Sequence, residues 1–86
     1  MKILFLLKSL EIGGLEIVTA NLANKFVLEG HDVVIWAFYK EEHSIRNRID
    51  EKIPVIWGDR YIVNEKNVYS LRETLLNYKI EIVINQ

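Results

Sequence analysis

Hydrophobic residues change their spacing repeatedly along the chain. Ile3-Leu4-Phe5-Leu6-Leu7 is an unbroken apolar run bounded by Lys8-Ser9 and, further on, Gly13-Gly14. Such a run predicts a strand covered on both faces. From Leu15 the spacing becomes helical. Leu15, Val18, Leu22 and Phe26 fall on one face with Thr19 and Ala23 beside them, and Glu16, Asn24 and Lys25 are expected to look outward. Ile17 is expected on the outer side with Asn21, Asn24 and Leu28. Gly30 follows as the expected C-cap, because glycine adopts the left-handed conformation at no steric cost.

The pattern then repeats. Residues 32–38 (Asp-Val-Val-Ile-Trp-Ala-Phe) form a second apolar run and predict a second buried strand. Residues 40–52 are polar, with Ile45 and Ile49 four apart after Ser44, and predict a short helix. Pro54-Val55-Ile56-Trp57 predicts a third strand, placed at the sheet edge because proline has no N–H for an interior ladder. Asn64 predicts the N-cap of a helix carrying Val68, Leu71, Leu75 and Tyr78 on one stripe. Residues 80–84 (Ile-Glu-Ile-Val-Ile) predict a fourth strand.

Strands alternating with helices imply βαβ units, a parallel sheet and right-handed crossovers. The expected fold is therefore α/β: an open parallel Rossmann-like sheet of about four strands with flanking helices. The fourth strand is expected beside the first with its outer edge bare, and bare apolar edges pair with other chains. Self-association through residues 80–84 is the consequence. An apolar last strand with nothing after it to cover it also suggests a domain cut short.

Composition narrows the function classes. With 86 residues the chain makes one small domain. A formal net charge of -1, with acids and bases interspersed, offers no basic field for nucleic acid. The absence of cysteine excludes disulfides and thiolate metal sites. The first apolar run is too short for a signal-peptide core, and no stretch approaches the roughly 18 apolar residues of a membrane span. A cytoplasmic location is the resulting expectation.

In an open parallel sheet, ligands bind beyond the carboxyl ends of the strands. Candidate chemistry therefore lies in residues 8–14, 38–41, 58–61 and at Asn85-Gln86. A loop ending in Gly13-Gly14 that opens into a helix brings backbone N–H groups and a helix amino terminus toward an anion. The same glycines could equally serve only a tight strand-to-helix turn. Other uses of this architecture fit less well. The glycines are adjacent rather than spaced G-x-G-x-x-G, and the second strand ends in Phe38-Tyr39 where a dinucleotide binder wants an acid. No G-x-x-x-x-G-K-[ST] segment exists. A receiver domain would need an acidic pair after the first strand, where Lys8-Ser9 stand; only Asp59, after the third, is available. His31, at the helix-to-strand turn, is read as a surface or capping histidine, His43 as solvated, Asp59 and Arg60 as a loop pair, and Trp36 and Trp57 as core or sheet-face residues rather than a stacking platform. No metal site and no cofactor are expected.

The run Met1-Lys2-Ile3-Leu4-Phe5-Leu6-Leu7, then Ser9-Leu10, Gly13-Gly14-Leu15-Glu16, Leu22-Ala23 and Gly30-His31-Asp32-Val33, resembles the N-terminus of GT-B glycosyltransferases of family 4, the glycosyl transferases group 1 enzymes. The resemblance covers about the first 40 residues and returns at Glu81-Ile82-Val83. It implies that residues 1–86 are part of the N-terminal, acceptor-side domain of a retaining glycosyltransferase, without the C-terminal donor-binding domain. Such an enzyme moves a sugar from a nucleotide-sugar to a glycan or lipid-linked acceptor, as in polysaccharide biosynthesis, with peripheral membrane contact in the full-length protein. By the same resemblance Gly13 and Gly14 face the donor diphosphate, while Lys8, Ser9, Glu16, Asn85 and Gln86 are acceptor or cleft candidates. No catalytic residue is expected within the 86, and the fragment alone is expected to be inactive. Two departures stand out: Ile17 replaces a basic residue common after the glutamate, and Ile84-Asn85-Gln86 stand where many members carry histidine. A stand-alone Rossmann-like binding module is the alternative.

Overall fold

The continuous apolar runs become neighbouring strands. A computed structural model describes residues 1–10, 14–38, 46–59 and 64–85. In order, the elements are β1 (Lys2–Leu7), α1 (Gly14–Leu28), β2 (Asp32–Ala37), a single 3-10 turn at Arg46–Arg48, β3 (Val55–Trp57), α2 (Glu65–Asn77) and β4 (Ile82–Asn85). All four strands are parallel and lie in the order β3-β2-β1-β4. The expected α/β Rossmann-like sheet, with β3 at one edge and β4 beside β1 at the other, is what forms.

Period-two alternation within each strand divides the core into two layers. Ile3, Phe5, Leu7, Val33, Ile35 and Ala37 pack with Ala20 and Ala23 of α1 and with Ile49 and Ile53. Leu4, Val34 and Trp36 pack on the other face against Leu71 and Leu75 of α2. α1 therefore connects β1 to β2 on one face, and α2 carries the chain from β3 back past β1 on the opposite face. Moving in opposite directions on opposite faces is what crossovers of one hand require.

Both helices end in the same hydrogen-bonded device. After α1, the His31 N–H donates to Phe26 O and the Gly30 N–H to Val27 O, each at 3.0 Å, with Gly30 at φ +93°. After α2, the Ile80 N–H donates to Leu75 O at 3.0 Å and the Lys79 N–H to Leu76 O at 3.2 Å, with Lys79 at φ +53°. These are Schellman motifs, whose two bonds occupy carbonyls that a helix end leaves open. Each carries the side-chain contact the motif favours. The Phe26 and His31 rings meet edge to face at 5.8 Å, and Leu75 and Ile80 join the same core layer. Gly30 and the N-cap are as expected; the Asn64 Oδ1 accepts from the Asn67 N–H at 2.9 Å.

Four sequence expectations need correction. First, the inward face of α1 is rotated: Val18 is 62% exposed, whereas Ile17, expected outside, packs on the core. The small residues Thr19, Ala20 and Ala23 are the ones buried at the centre of the inward face. Asn24 does not face solvent alone. Its amide donates to Arg48 O and its Oδ1 accepts from the Asp50 N–H, both at 2.8 Å, tying α1 to the following segment.

Second, among the described residues the expected helix over 40–52 reduces to the turn at Arg46–Arg48. The Arg46 guanidinium donates to Ile49 O and Ile53 O, holding the backbone in an irregular path that buries both isoleucines. Residues 39–45, with His43, lie outside the described residues, as do Arg60 and Tyr61.

Third, α2 buries Asn67 and Thr74, while Val68 is 54% and Tyr78 39% exposed. Polar residues are tolerated inside because their bonds are satisfied: Thr74 Oγ1 donates to Ser70 O at 2.8 Å, and Asn67 Oδ1 accepts from the Asp59 N–H at 2.7 Å. Fourth, the last strand begins at Ile82 rather than residue 80, because Ile80 serves as the closing residue of the α2 cap.

Candidate functional site

The turning point of the sheet lies between β1 and β4. The chain leaving β1 goes over one face toward β2, whereas β4 is reached across the other face, and in open parallel sheets ligands bind at the carboxyl ends beside such a switch. Lys8 follows β1 directly and is exposed, Ser9 is buried, and Leu10 is fully enclosed as an anchor for the loop. The Phe38 N–H donates to Leu7 O at 3.0 Å and to Lys8 O at 3.1 Å, joining the end of β2 to the start of that loop. α1 then begins at Gly14 with Glu16, half-buried, in its first turn. Asn85 closes β4, exposed, at the register position of Leu6.

The fold thus brings Lys8, Ser9, the amino end of α1 at Gly14 and Asn85 to one end of the sheet, although they are up to 77 positions apart in sequence (85 − 8). Gly13 and Gln86 lie outside the described residues. The amino terminus of α1 favours an anion at this rim, because the first N–H groups of a helix lack intrahelical partners. Glu16 in the first turn opposes that preference, since its carboxylate already neutralises part of the positive helix end.

The remaining chemistry at this end is structural. Asp59 and Glu65 line a shallow hollow of about 350 Å³ with Asn64 and Lys66, beside the start of α2. Gly58 is required there by close approach: a Cβ would lie 2.5 Å from Phe38 O and 2.8 Å from the Trp36 ring. Asn67 and Gly58 were not singled out from the sequence as individual residues. Their signals are slight, an Asn-x-x-Asn spacing at a helix start and a glycine at a strand end. Trp36 is fully buried, and its Nε1–H donates to Ser70 Oγ at 3.2 Å, so it is a core residue. Trp57 is half-buried on the α1 face.

A larger hollow, about 570 Å³, lies at the opposite end, where Lys2, His31, Lys52 and Lys79 stand around the amino ends of β1 and β2. Size alone would favour it. Strand polarity and the helix amino terminus favour the carboxyl rim as the primary site. Among the described residues no group of three His, Cys, Asp or Glu side chains could hold a metal, and no helix is long and apolar enough to cross a membrane. Comparison of the chain with protein-family models, curated proteins and solved structures found no significant match.

Proposed function

We propose that this chain is the acceptor-side part of a retaining glycosyltransferase that moves a sugar from a nucleotide-sugar to a glycan or lipid-linked acceptor. The observation that carries the reading is the sheet order β3-β2-β1-β4, with its turning point at the rim that collects Lys8, Ser9, Gly14 and Asn85. Peptide N–H groups at the start of α1 suit a diphosphate, and the exposed side chains of Lys8 and Asn85 suit hydroxyl-rich ligands at the same rim. The resemblance of the first 40 residues to family 4 GT-B enzymes points to the same loop.

In this reading the rim is half of a cleft. The second half, a donor-holding lobe, supplies most of the nucleotide contacts and the reacting groups. The 86 residues alone then bind a nucleotide-sugar weakly and transfer nothing. Isothermal titration of the chain with UDP-glucose and GDP-mannose tests this, alongside a transfer assay on the polypeptide isolated from its native source. Sugar transfer by the native polypeptide, with only millimolar or weaker binding by the 86 residues, supports the proposal. Micromolar binding by the 86 residues overturns it in favour of a stand-alone Rossmann-like binding module.

A further inference from the structure

We propose a second site, an anion-binding hollow at the amino-terminal end of the sheet, for a small multivalent ligand bearing carboxylate or phosphate groups on a compact body. The hollow of about 570 Å³ is within the size range of small-molecule sites, roughly 300–1,000 Å³. Three lysines line it, Lys2 at the start of β1, Lys52 before β3 and Lys79 after α2. His31 and Asn77 are further polar lining residues, and Val33, Pro54 and Ile80 contribute an apolar wall.

The charge balance favours an anion. None of the three lysines is engaged in an ion pair among the described residues. Asp32 is the one carboxylate on the wall. Glu29, Glu51 and Glu81 are neighbours in sequence but do not line the hollow, and the Glu81 carboxylate is occupied by the Lys2 backbone N–H at 2.9 Å. Two helix carboxyl ends also point here, which would repel an anion. Their caps blunt that effect, since Phe26, Val27, Leu75 and Leu76 O all accept bonds from residues 30, 31, 79 and 80. Lys52 and Lys79 are exposed, so the attraction is screened by salt and the affinity belongs in the millimolar range at moderate ionic strength.

The site is at the other end of the strands from the rim proposed above, so either can fail without the other. The test is a ¹⁵N-correlation NMR titration of the 86-residue chain at low ionic strength, with citrate and with inorganic pyrophosphate as separate probes. Support is a saturable shift of amides 30–34, 52 and 77–80 by either probe. It should weaken at least tenfold in a Lys52→Glu/Lys79→Glu variant whose spectrum stays dispersed, and change less than twofold in Lys25→Glu/Lys66→Glu. A response to citrate alone assigns a carboxylate ligand, and to pyrophosphate alone a phosphate ligand. Should the double reversal unfold the chain, Lys52→Gln replaces it, with a threefold loss expected. Shifts that never saturate, that appear at Lys25 and Lys66 as strongly as at Lys52 and Lys79, or that survive the charge reversals overturn the proposal.

Discussion

Exchanging residue types between the two helix caps separates backbone strain from every other contribution to stability. Both helices close with the same pair of hydrogen bonds, yet the left-handed position is glycine in one and lysine in the other. At Gly30 (φ +93°) an added Cβ meets nothing within 4 Å, so Gly30→Ala introduces no clash. Its cost is the left-handed penalty of an L-residue, about 1–2 kcal/mol. Part is returned because alanine has less unfolded-state entropy to lose, about 0.4–1 kcal/mol. A net loss of about 1 kcal/mol is expected.

Lys79 (φ +53°) is the converse. Its side chain is exposed, so Lys79→Gly removes the same penalty at little cost in contacts, and glycine's greater entropy loss of about 0.5–1 kcal/mol offsets part of the gain. A net stabilisation of about 0.5–1 kcal/mol is expected. For a domain of this size each kcal/mol moves the melting temperature by about 4–8 °C. Urea titrations and thermal melts followed by circular dichroism should therefore show opposite displacements, with unchanged m-values. A neutral Gly30→Ala, or a Lys79→Gly that lowers stability, would refute the account of the two caps.

Ser70→Ala leaves the indole N–H of the fully buried Trp36 without its acceptor and should cost about 1–3 kcal/mol in urea unfolding, whereas Ser70→Thr should lose less. Gly58→Ala drives a methyl into Phe38 O and the enclosed Trp36 ring; a loss of about 1–3 kcal/mol or more is expected, and a melting temperature within 2 °C of the parent, about 0.5 kcal/mol or less, would show that the contact relaxes. The outer edge of β4 carries no charge or proline over Ile82–Asn85, and Val83 is 47% exposed on it. Sedimentation velocity should reveal concentration-dependent self-association that Val83→Lys suppresses, and a strictly monomeric profile at high concentration would remove that expectation.

The amino-acid order determined the four strands, the two long helices and the parallel sheet, but not the irregular path around Arg46–Arg48, where the spacing predicts a helix. Apolar runs of five to seven residues bounded by turn residues are too short for typical helices and favour strands, and Pro54 just before β3 favours a place at the sheet edge. Asn64 and Gly30 mark helix ends through purely local bonds, so they too are readable in one dimension. What only the tertiary structure decided is which side of each helix faces the sheet. Val18 and Ile17 are both apolar, yet Ile17 packs on the core beside the buried Thr19, Ala20 and Ala23 while Val18 is left outside, a choice that single-helix spacing does not make. The same holds for the buried amide of Asn67, paired with a backbone N–H eight residues earlier, and for the isoleucines gathered by Arg46. The candidate site divides in the same way. The glycine pair before α1 was legible as a local signal, but the convergence of Lys8, Ser9 and Asn85 on one rim follows from β4 pairing beside β1, a contact across the whole length of the chain. The lysine-lined hollow at the other end had no local signature at all, because Lys2, Lys52 and Lys79 meet only when three parallel strands are laid side by side and two helices end above them.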